Sequence, residues 1–208
     1  MLPAKAAILR CPHCGGKKNV HQLMSGNTFG STQWSDTKHV APMFPKVSYI
    51  QRCPHCKKYF FYTKDVYAGN ADDYSSDLGE LPYQNLKEAF EQLQPSGNDE
   101  TTTRLYILWA FNDLYGNSEI ADIPTPEWEY HLDNVQHLIP LMSDVLVKAE
   151  LYREIGDFKK CIELLSTIQQ TPALQNIKEM FLEEANRQNR KVFVLYGNAN
   201  RYPITAGK

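Results

Sequence analysis

The chain has 208 residues, of which 42% are apolar and 22% charged, and its formal net charge is −2. This composition excludes a fully disordered or fibrous chain and suits one large or two small globular domains. No apolar stretch approaches the roughly 20 residues that a membrane-spanning helix needs. The N-terminus also lacks the apolar core of a secretory signal. We therefore expect a cytoplasmic protein without a membrane partner.

The charge is divided unevenly along the chain. Residues 1–67 carry ten basic and two acidic side chains, a net charge of +8, whereas residues 68–208 carry twelve basic and twenty-two acidic ones, a net charge of −10. Such asymmetry is typical of a nucleic-acid-binding segment, and equally of two modules that attract each other. Both interpretations stay open at the level of sequence.

Four of the five cysteines lie in two identical tetrapeptides, Cys11-Pro12-His13-Cys14 and Cys53-Pro54-His55-Cys56. A Cys-x-x-Cys turn points two sulfurs at one cation, and two such turns complete a tetrahedron of ligands. Proline after the first cysteine presets the backbone for the turn. Gly15 after the first tetrapeptide allows a left-handed backbone, whereas Lys57 at the equivalent position of the second is less suited to it.

The paired tetrapeptides resemble the zinc-ribbon family, and the resemblance covers roughly the first third of the chain. It implies one structural Zn²⁺ bound by four thiolates: Cys11, Cys14, Cys53 and Cys56. A closed four-sulfur site leaves no position for water, so the ion would be structural rather than catalytic. Its binding energy would stabilise a small β module with a thin core.

The 38 residues between Cys14 and Cys53 exceed the simple zinc-ribbon spacing, which is about 15–20 residues. The insert must therefore carry structure of its own. Runs of β-branched and aromatic residues predict short strands at residues 20–24, 28–34, 47–51 and 59–63. We expect an antiparallel zinc ribbon of three or four strands.

The same tetrapeptide also resembles the active site of periplasmic disulfide oxidoreductases, whose first cysteine has a low pKa. Those enzymes place a single copy at the start of a helix in a βαβ fold, whereas this chain has two copies and no βαβ pattern. Zinc binding is the favoured interpretation and a thiol-disulfide oxidoreductase is kept as an alternative. His13 and His55 are expected to be exposed turn residues, and Cys161 a buried apolar side chain.

Residues 68–79 are polar and rich in Gly, Ser and Asp, which predicts a linker between a zinc-ribbon domain at residues 1–67 and an α-helical domain at residues 80–208. After the linker the apolar period changes from 2 to 3.6 residues. Helices are predicted at residues 82–93, 100–115, 125–156 with a break near Pro140, 158–169 and 171–189. Residues 191–196 form a strand or a helix extension, and residues 197–208 show no strong pattern. The predicted fold class is α+β: a small N-terminal antiparallel zinc ribbon followed by a helical bundle.

The run from Ala149 to Phe158 resembles one tetratricopeptide repeat, a unit of about 34 residues. In that family two helices meet at a Gly-Asp turn, here Gly156-Asp157, and small residues lie where the helices cross, here Cys161. No second copy is found in the sequence. The resemblance implies a tetratricopeptide-like helix pair within the bundle and does not by itself imply a peptide-binding groove.

Two groups of residues in the N-terminal part are candidates for a binding surface. Phe29 and Trp34 either stack on a base or peptide, or cover a small core. Lys57 and Lys58, beside Tyr59, either contact phosphates or form a solvated basic face that docks on the acidic helices.

Catalytic residues are not predicted, because the sequence has no histidine pair at ligand spacing, no phosphate-binding glycine loop and no Gly-x-Ser-x-Gly motif. We therefore expect a non-enzymatic zinc-binding adaptor whose helical domain binds a protein partner that the sequence does not identify. The alternatives are a nucleic-acid-binding protein that uses the basic ribbon, and the thiol-disulfide oxidoreductase.

Overall fold

Antiparallel strands form the N-terminal part of the chain and six helices follow, with one further strand after them, in the residues that the computed structural model describes, 1–169 and 171–197. The predicted α+β fold class is therefore confirmed. Apart from Gly197, the C-terminal segment at residues 197–208 lies outside the described residues.

The strands are short and are numbered in chain order. They are β1 (Leu2–Pro3), β2 (Ala7–Arg10), β3 (Lys17–Val20), β4 (Leu23–Ser25), β5 (Thr32–Trp34), β6 (His39–Val40), β7 (Ile50–Arg52), β8 (Tyr59–Phe61), β9 (Tyr67–Asn70) and β10 (Val194–Tyr196). Strand β2 pairs with β3 and β9, β7 pairs with β8, and β1 pairs with β4. Strand β5 lies between β10 and β6, and every pairing is antiparallel.

The helices are α1 (Tyr83–Leu93), α2 (Gly97–Tyr115), α3 (Thr125–Leu138), α4 (Val145–Glu154), α5 (Phe158–Thr167) and α6 (Pro172–Asn186). The break predicted near Pro140 is a 3₁₀ turn at Ile139–Leu141. After it Asp144 begins α4 by accepting hydrogen bonds from the backbone N–H groups of the next turn. No helix in the described ranges combines the length and the apolar character that crossing a bilayer requires.

The chain groups into two compact units that differ from a simple division into an N-terminal and a C-terminal half. The first unit consists of Met1–Ser31 and Ala41–Thr103, and the second of Thr32–Val40 and the chain from Arg104 onward. Part of the segment between the two cysteine pairs therefore belongs to the second unit. The division into a zinc-ribbon domain (1–67), a linker (68–79) and an α-helical domain (80–208) stays a prediction.

In the first unit, β2 shows the alternation of a half-buried strand: Ala7 and Leu9 are fully buried, whereas Arg10 is exposed. This strand was not predicted, because its four residues lie before the first cysteine. Strand β9 was not predicted either, because it contains Gly69 and polar residues, whereas its pairing with β2 is made by backbone groups.

The buried cluster of the first unit is small and includes two of the cysteines. Its members are Ala7, Leu9, Cys11, Val20, Cys53, Phe60 and Val66. Strands of two to four residues offer few inward-facing positions. The apolar core of this unit is therefore thin, as expected for a small β module.

In the second unit, α4 and α5 are joined by a short turn at the predicted position. Gly156 has a positive φ of 85°, and the Asp157 carboxylate accepts a hydrogen bond from the Lys160 backbone N–H at 3.0 Å. Cys161 is fully buried beside Ala149 in a cluster with Leu165, which confirms its predicted role as a buried apolar side chain. Strand β10 realises the strand alternative predicted for residues 191–196.

Candidate metal centre

The two tetrapeptides form the turns of two hairpins with the same hydrogen-bond pattern. The first turn connects β2 to β3 and the second connects β7 to β8. The Cys11 N–H donates to the Gly16 carbonyl at 2.9 Å, and the Cys53 N–H donates to the Lys58 carbonyl at 2.9 Å. Identical tetrapeptides therefore build two equivalent knuckles, each with its cysteines at the end of a hairpin.

Both knuckles require a left-handed residue directly after their second cysteine. Gly15 has φ of 69° and Lys57 has φ of 63°. Glycine adopts this conformation without strain, whereas for a residue with a Cβ atom it is about 1 kcal/mol or more less favourable in conformational free energy. The fold of the second knuckle thus overrides the unfavourable backbone preference of Lys57, whose ammonium donates to the Pro54 carbonyl at 2.7 Å.

The four cysteines of the two knuckles converge on one point. The sulfur of Cys11 lies 3.7 Å from that of Cys56, and the sulfur of Cys14 lies 3.6 Å from that of Cys53. All four sulfurs lie within 4.8 Å of one another. A tetrahedral ion with metal–sulfur bonds of about 2.3 Å separates its sulfurs by about 3.8 Å. The cysteines are therefore positioned to bind one metal ion, with each close pair drawn from different knuckles.

The environment of the sulfurs is graded from buried to exposed. Cys11 and Cys53 are buried, Cys56 is half-buried and Cys14 is exposed. Burial raises the pKa of the Cys11 thiol to about 12. Burial also opposes ionisation of Cys53, but the backbone N–H groups of Cys56 and His55 outweigh it and lower the pKa of that thiol to about 6. The N–H groups of the knuckle thus face sulfur and favour the thiolate, which is the form that binds metals.

The histidines of the tetrapeptides connect the knuckles to each other. The Nε2–H of His13 donates to the Tyr59 carbonyl at 3.0 Å, and the Nε2–H of His55 donates to the Lys17 carbonyl at 3.1 Å. Each acceptor is the third residue after the second cysteine of the opposite knuckle. Both histidines are exposed, as predicted. Their hydrogen bonds to the opposite knuckle were not predicted from the sequence, although the repetition of His at the same place in both tetrapeptides is consistent with an equivalent role.

Gly16 has a specific reason to be glycine in this arrangement. A Cβ atom there would lie 2.4 Å from Cδ2 of His55, which is closer than real contacts allow. The absence of a side chain at Gly16 therefore lets the His55 ring lie against the first knuckle and reach its acceptor.

The residues proposed from sequence as a binding surface have very different exposures. Phe29 is 81% exposed, whereas Trp34 is 6% and Tyr59 is 3% exposed. Lys57 and Lys58 are both exposed. Trp34 belongs to the second unit and the others to the first. Their use as one binding surface stays a prediction.

Tyr59 is held inside the first unit by polar contacts with α1. Its hydroxyl donates to Glu88 Oε2 at 2.6 Å and accepts from Asn85 Nδ2 at 2.7 Å. Burial, followed by the neighbouring Glu88, raises the pKa of Tyr59. The ring therefore anchors β8 to α1 instead of facing solvent.

Exposed basic side chains surround the two knuckles. They are Arg10, Lys17, Arg52, Lys57 and Lys58. The Arg52 guanidinium lies 5.5 Å from the centre of the Tyr59 ring, and its Nε donates to the Lys57 carbonyl at 3.2 Å. The positive charge of residues 1–67 is thus concentrated in part around the cysteine cluster.

Four sulfurs complete the coordination of a tetrahedral ion and leave no open position for water or substrate. Such a centre is suited to holding two hairpins together. No protein-family model matches the chain, and the comparisons with curated proteins and with solved structures found no match.

Proposed function

We propose that the cysteine cluster binds one Zn²⁺ and that the ion stabilises the first unit in the manner of a zinc ribbon. The observation that carries this proposal is the convergence of four sulfurs from two equivalent hairpins, with two sulfur pairs at 3.6 and 3.7 Å. Four thiolates in a tetrahedron are the ligand set of structural zinc sites. The metal is redox-inert, which suits a purely structural role.

The energetic need for an ion follows from the composition of the first unit's core. Cys11 and Cys53 are themselves members of its buried cluster, so the ligands occupy positions that apolar side chains fill elsewhere. Binding of structural zinc supplies of order 10 kcal/mol, which is comparable with the whole stability of a domain. The proposed ion therefore decides whether the hairpins stay together.

Metal analysis of the purified full-length protein tests the proposal directly. We expect one zinc per chain, and four thiols that react only after a strong chelator removes it. The Cys14→Ser variant should lose stoichiometric zinc, while the matched variant Cys161→Ala should retain it. Replacement by Co²⁺ should produce the visible absorption of a tetrahedral thiolate complex. A protein without stoichiometric metal, whose tetrapeptide thiols react freely in the native state, would contradict the proposal and favour thiol-disulfide exchange.

We further propose that the protein is a non-enzymatic adaptor and that its helical region binds a protein partner. The support is the α4–α5 pair, which is joined at Gly156-Asp157 and buries Ala149 and Cys161 in one cluster, together with the sequence resemblance of this pair to a tetratricopeptide repeat. Leu141 and Val145 lie at the start of this region and are 38% and 37% exposed. Apolar side chains exposed next to a helix pair suit a protein contact.

Affinity capture with the zinc-loaded full-length chain tests the adaptor role. We expect a partner that the wild type retains and that the double variant Leu141→Glu/Val145→Glu loses, while the exposed control Lys159→Glu keeps it. Capture of no specific protein, or of proteins that all variants retain equally, would argue against an adaptor.

Nucleic-acid binding is a second candidate function, favoured by the five exposed cations around the knuckles. Tyr59 and Phe60 are buried, so contacts through these cations would be made to phosphates more than to stacked bases. Gel-shift titrations with single-stranded DNA and RNA at several salt concentrations distinguish the two functions. Binding that weakens with salt and is lost in Lys57→Glu/Lys58→Glu, but kept in the control Lys5→Glu, would establish it.

A further inference from the structure

The second unit contains a cavity that shares no residue with the cysteine cluster. It has a volume of about 250 Å³ and is lined by the C-terminal half of α2, by α3 and α4, by the first residue of α5 and by residues 188–192. An apolar cavity of about 150 Å³ holds one benzene ring. In the same proportion, this cavity has room for a ligand of about ten non-hydrogen atoms.

Aromatic and aliphatic side chains form much of the cavity wall. They include Phe111, Tyr115, Ile123, Trp128 and Phe158. The centre of the Phe111 ring lies 5.1 Å from that of Tyr115 and 6.2 Å from that of Trp128. Tyr115 and Trp128 are only half-buried, so part of their ring surface is open. Such a wall suits a flat, apolar body that packs against the rings.

The half-buried cation Arg190 lies over two of these rings at the edge of the cavity. Its guanidinium carbon is 5.7 Å from the centre of the Trp128 ring and 5.9 Å from that of Phe158. Gly156 leaves space for the guanidinium, because a Cβ atom there would lie 2.1 Å from Nη2 of Arg190. Packing against two rings and a glycine therefore determines where this charge sits.

The backbone on both sides of Arg190 is anchored by hydrogen bonds. The Arg153 guanidinium donates to the carbonyls of Asn189 and Lys191, which flank Arg190. The Asn189 N–H donates to the Glu184 carbonyl at 3.0 Å, and the Lys191 N–H donates to Asn189 Oδ1 at 3.0 Å. The guanidinium is thus carried by a segment that is already ordered, which lowers the entropy lost when a ligand binds to it.

The N–H groups of Arg190 have no hydrogen-bond acceptor and no anionic partner among the residues that the structure describes. Its nitrogens are not among the enclosed polar atoms of this unit, so a ligand in the cavity can reach them. The neighbouring Lys191 is neutralised by Glu119, whose Oε1 lies 2.6 Å from its Nζ. The cavity therefore combines an apolar wall with one positive charge that lacks a counterion in the described part of the chain.

We propose that this cavity binds a small aromatic carboxylate of about the size of phenylacetate, and that Arg190 recognises its carboxylate group. Two parallel N–H groups of a guanidinium match the two oxygens of a carboxylate, while the ring of the ligand packs against the aromatic wall. A neutral ligand of the same shape would leave the charge of Arg190 without a counterion. A cationic ligand would be repelled by it.

Binding measurements on the full-length, zinc-loaded protein test this assignment. The probes are benzoate, phenylacetate and indole-3-acetate, each beside its neutral amide, with calorimetry and NMR as readouts. We expect at least one carboxylate to bind with a Kd below about 1 mM and at least about tenfold more tightly than its amide. If no carboxylate binds at that concentration, or if acid and amide bind equally, the proposal is wrong.

Variants of two arginines connect the binding to the guanidinium. Arg190→Met keeps an apolar chain against the rings but removes the charge, and should weaken carboxylate binding at least about tenfold. Arg190→Lys keeps the charge but not the paired N–H groups, and should give a smaller loss. Arg187→Met makes the same change at an exposed arginine that does not line the cavity, and should leave the affinity unchanged. Equal affinities in Arg190→Met and the wild type would overturn the proposal.

The position of the ligand can be read from tryptophan signals. The chain has three tryptophans, and Trp128 lines the cavity, so its indole N–H resonance should move when the carboxylate binds. The variant Trp128→Phe identifies this resonance. A ligand that moves only the other two indole resonances binds elsewhere, which would refute the assignment. Thermal melting checks that each variant folds, and the comparison of acid with amide on the wild type remains decisive if Arg190→Met does not.

Discussion

The two units of the molecule bury different kinds of side chain. The first unit has a single small cluster in which two of the seven members are the cysteines Cys11 and Cys53. The second has apolar clusters built from helices, one around Phe181 and Leu165 and another around Leu108 and Val135. Short strands provide few inward positions, which is why we propose that a metal ion cross-links the first unit, whereas the helices of the second unit bury more apolar surface.

The second unit also buries an ion pair between Arg153 and Glu150. Arg153 donates to both carboxylate oxygens of Glu150, at 2.6 and 2.7 Å, and both side chains are fully buried. Arg153 also donates to the Lys191 carbonyl at 3.1 Å. Removing two charges from water is tolerated only when every donor has a partner. The contrast is between a unit that we propose is stabilised by a metal ion and one whose interior holds a paired Arg and Glu.

The largest effect is expected from breaking the metal centre. Cys53→Ser, or chelation of the wild type, should remove of order 10 kcal/mol of metal-binding energy from the first unit. Hydrogen exchange should then show lost protection in β2, β3, β7 and β8, with protection of α4 and α5 retained. The control Cys161→Ala should leave the four strands protected. Unchanged protection after complete removal of the metal would refute the proposed difference between the units.

The next largest effect is expected from breaking the buried ion pair in the second unit. Arg153→Met leaves Glu150 buried without its partner and should lower the free energy of unfolding by about 3–5 kcal/mol. The double variant Glu150→Leu/Arg153→Met should recover most of that loss. Arg187 pairs with Glu183 on the surface at 2.6 Å, so Arg187→Met should cost less than about 1 kcal/mol. Urea unfolding measures all three, and equal losses for the buried and exposed pairs would contradict the prediction.

The dependence of stability on pH distinguishes two buried groups of the second unit, His131 and Glu154. His131 has a pKa near 3 when folded and about 6.5 when unfolded, so its contribution is fully present above pH 6.5 and is lost as pH falls towards 3. Between these two pKa values the free energy of unfolding should fall by about 1.4 kcal/mol for each unit by which the pH is lowered. His131→Phe should remove this acid sensitivity.

Glu154 acts in the opposite direction in the same unit. Its folded pKa is raised by burial, so the stability it contributes is fully present below its unfolded pKa of about 4.5 and is lost as pH rises above it. Glu154→Gln should therefore raise stability at neutral pH relative to the wild type and leave it unchanged near pH 4. Urea unfolding at fixed pH values checks both signs, and identical pH profiles for wild type and both variants would contradict the assignment.

The smallest change in stability is expected from substitutions at the left-handed residues of the two knuckles, Gly15 and Lys57. Lys57→Gly places glycine at a φ of 63° and should raise stability by about 1 kcal/mol, while Gly15→Ala should lower it by about the same amount. Lys58→Gly, at a position without positive φ, should not stabilise. Thermal melting of the metal-loaded protein measures these shifts. A destabilised Lys57→Gly variant would show that the left-handed backbone carries no strain there.

The cysteine cluster and the Gly156-Asp157 turn could be anticipated because their chemistry is local. A Cys-x-x-Cys turn and an Asp cap each involve residues within about one turn of the chain, so spacing alone describes their geometry. The cross-bridges from His13 and His55 could not be anticipated in the same way. They depend on the distance between two hairpins, and the sequence separation between donor and acceptor is 46 and 38 residues.

Residues 32–40 show a second limit of sequence reasoning. They were interpreted as part of the ribbon because they lie between the cysteine pairs, but β5 pairs with β10 and the segment belongs to the second unit. Strand pairing is made by backbone groups that every residue carries, so the partner of a short strand is not encoded in its side chains. The burial of Glu150, Arg153 and Glu154 was likewise hidden, since charged residues on a helix are usually exposed.

The sequence by itself determined the periodicities, the turns and the four thiols, because these depend on neighbouring residues and on the chemistry of each side chain. The tertiary structure decided which hairpins meet, which strand joins which unit, and which polar groups are enclosed around the cavity beside His131 and Glu154. Those outcomes depend on which distant surfaces exclude water together, a property of the packed chain as a whole.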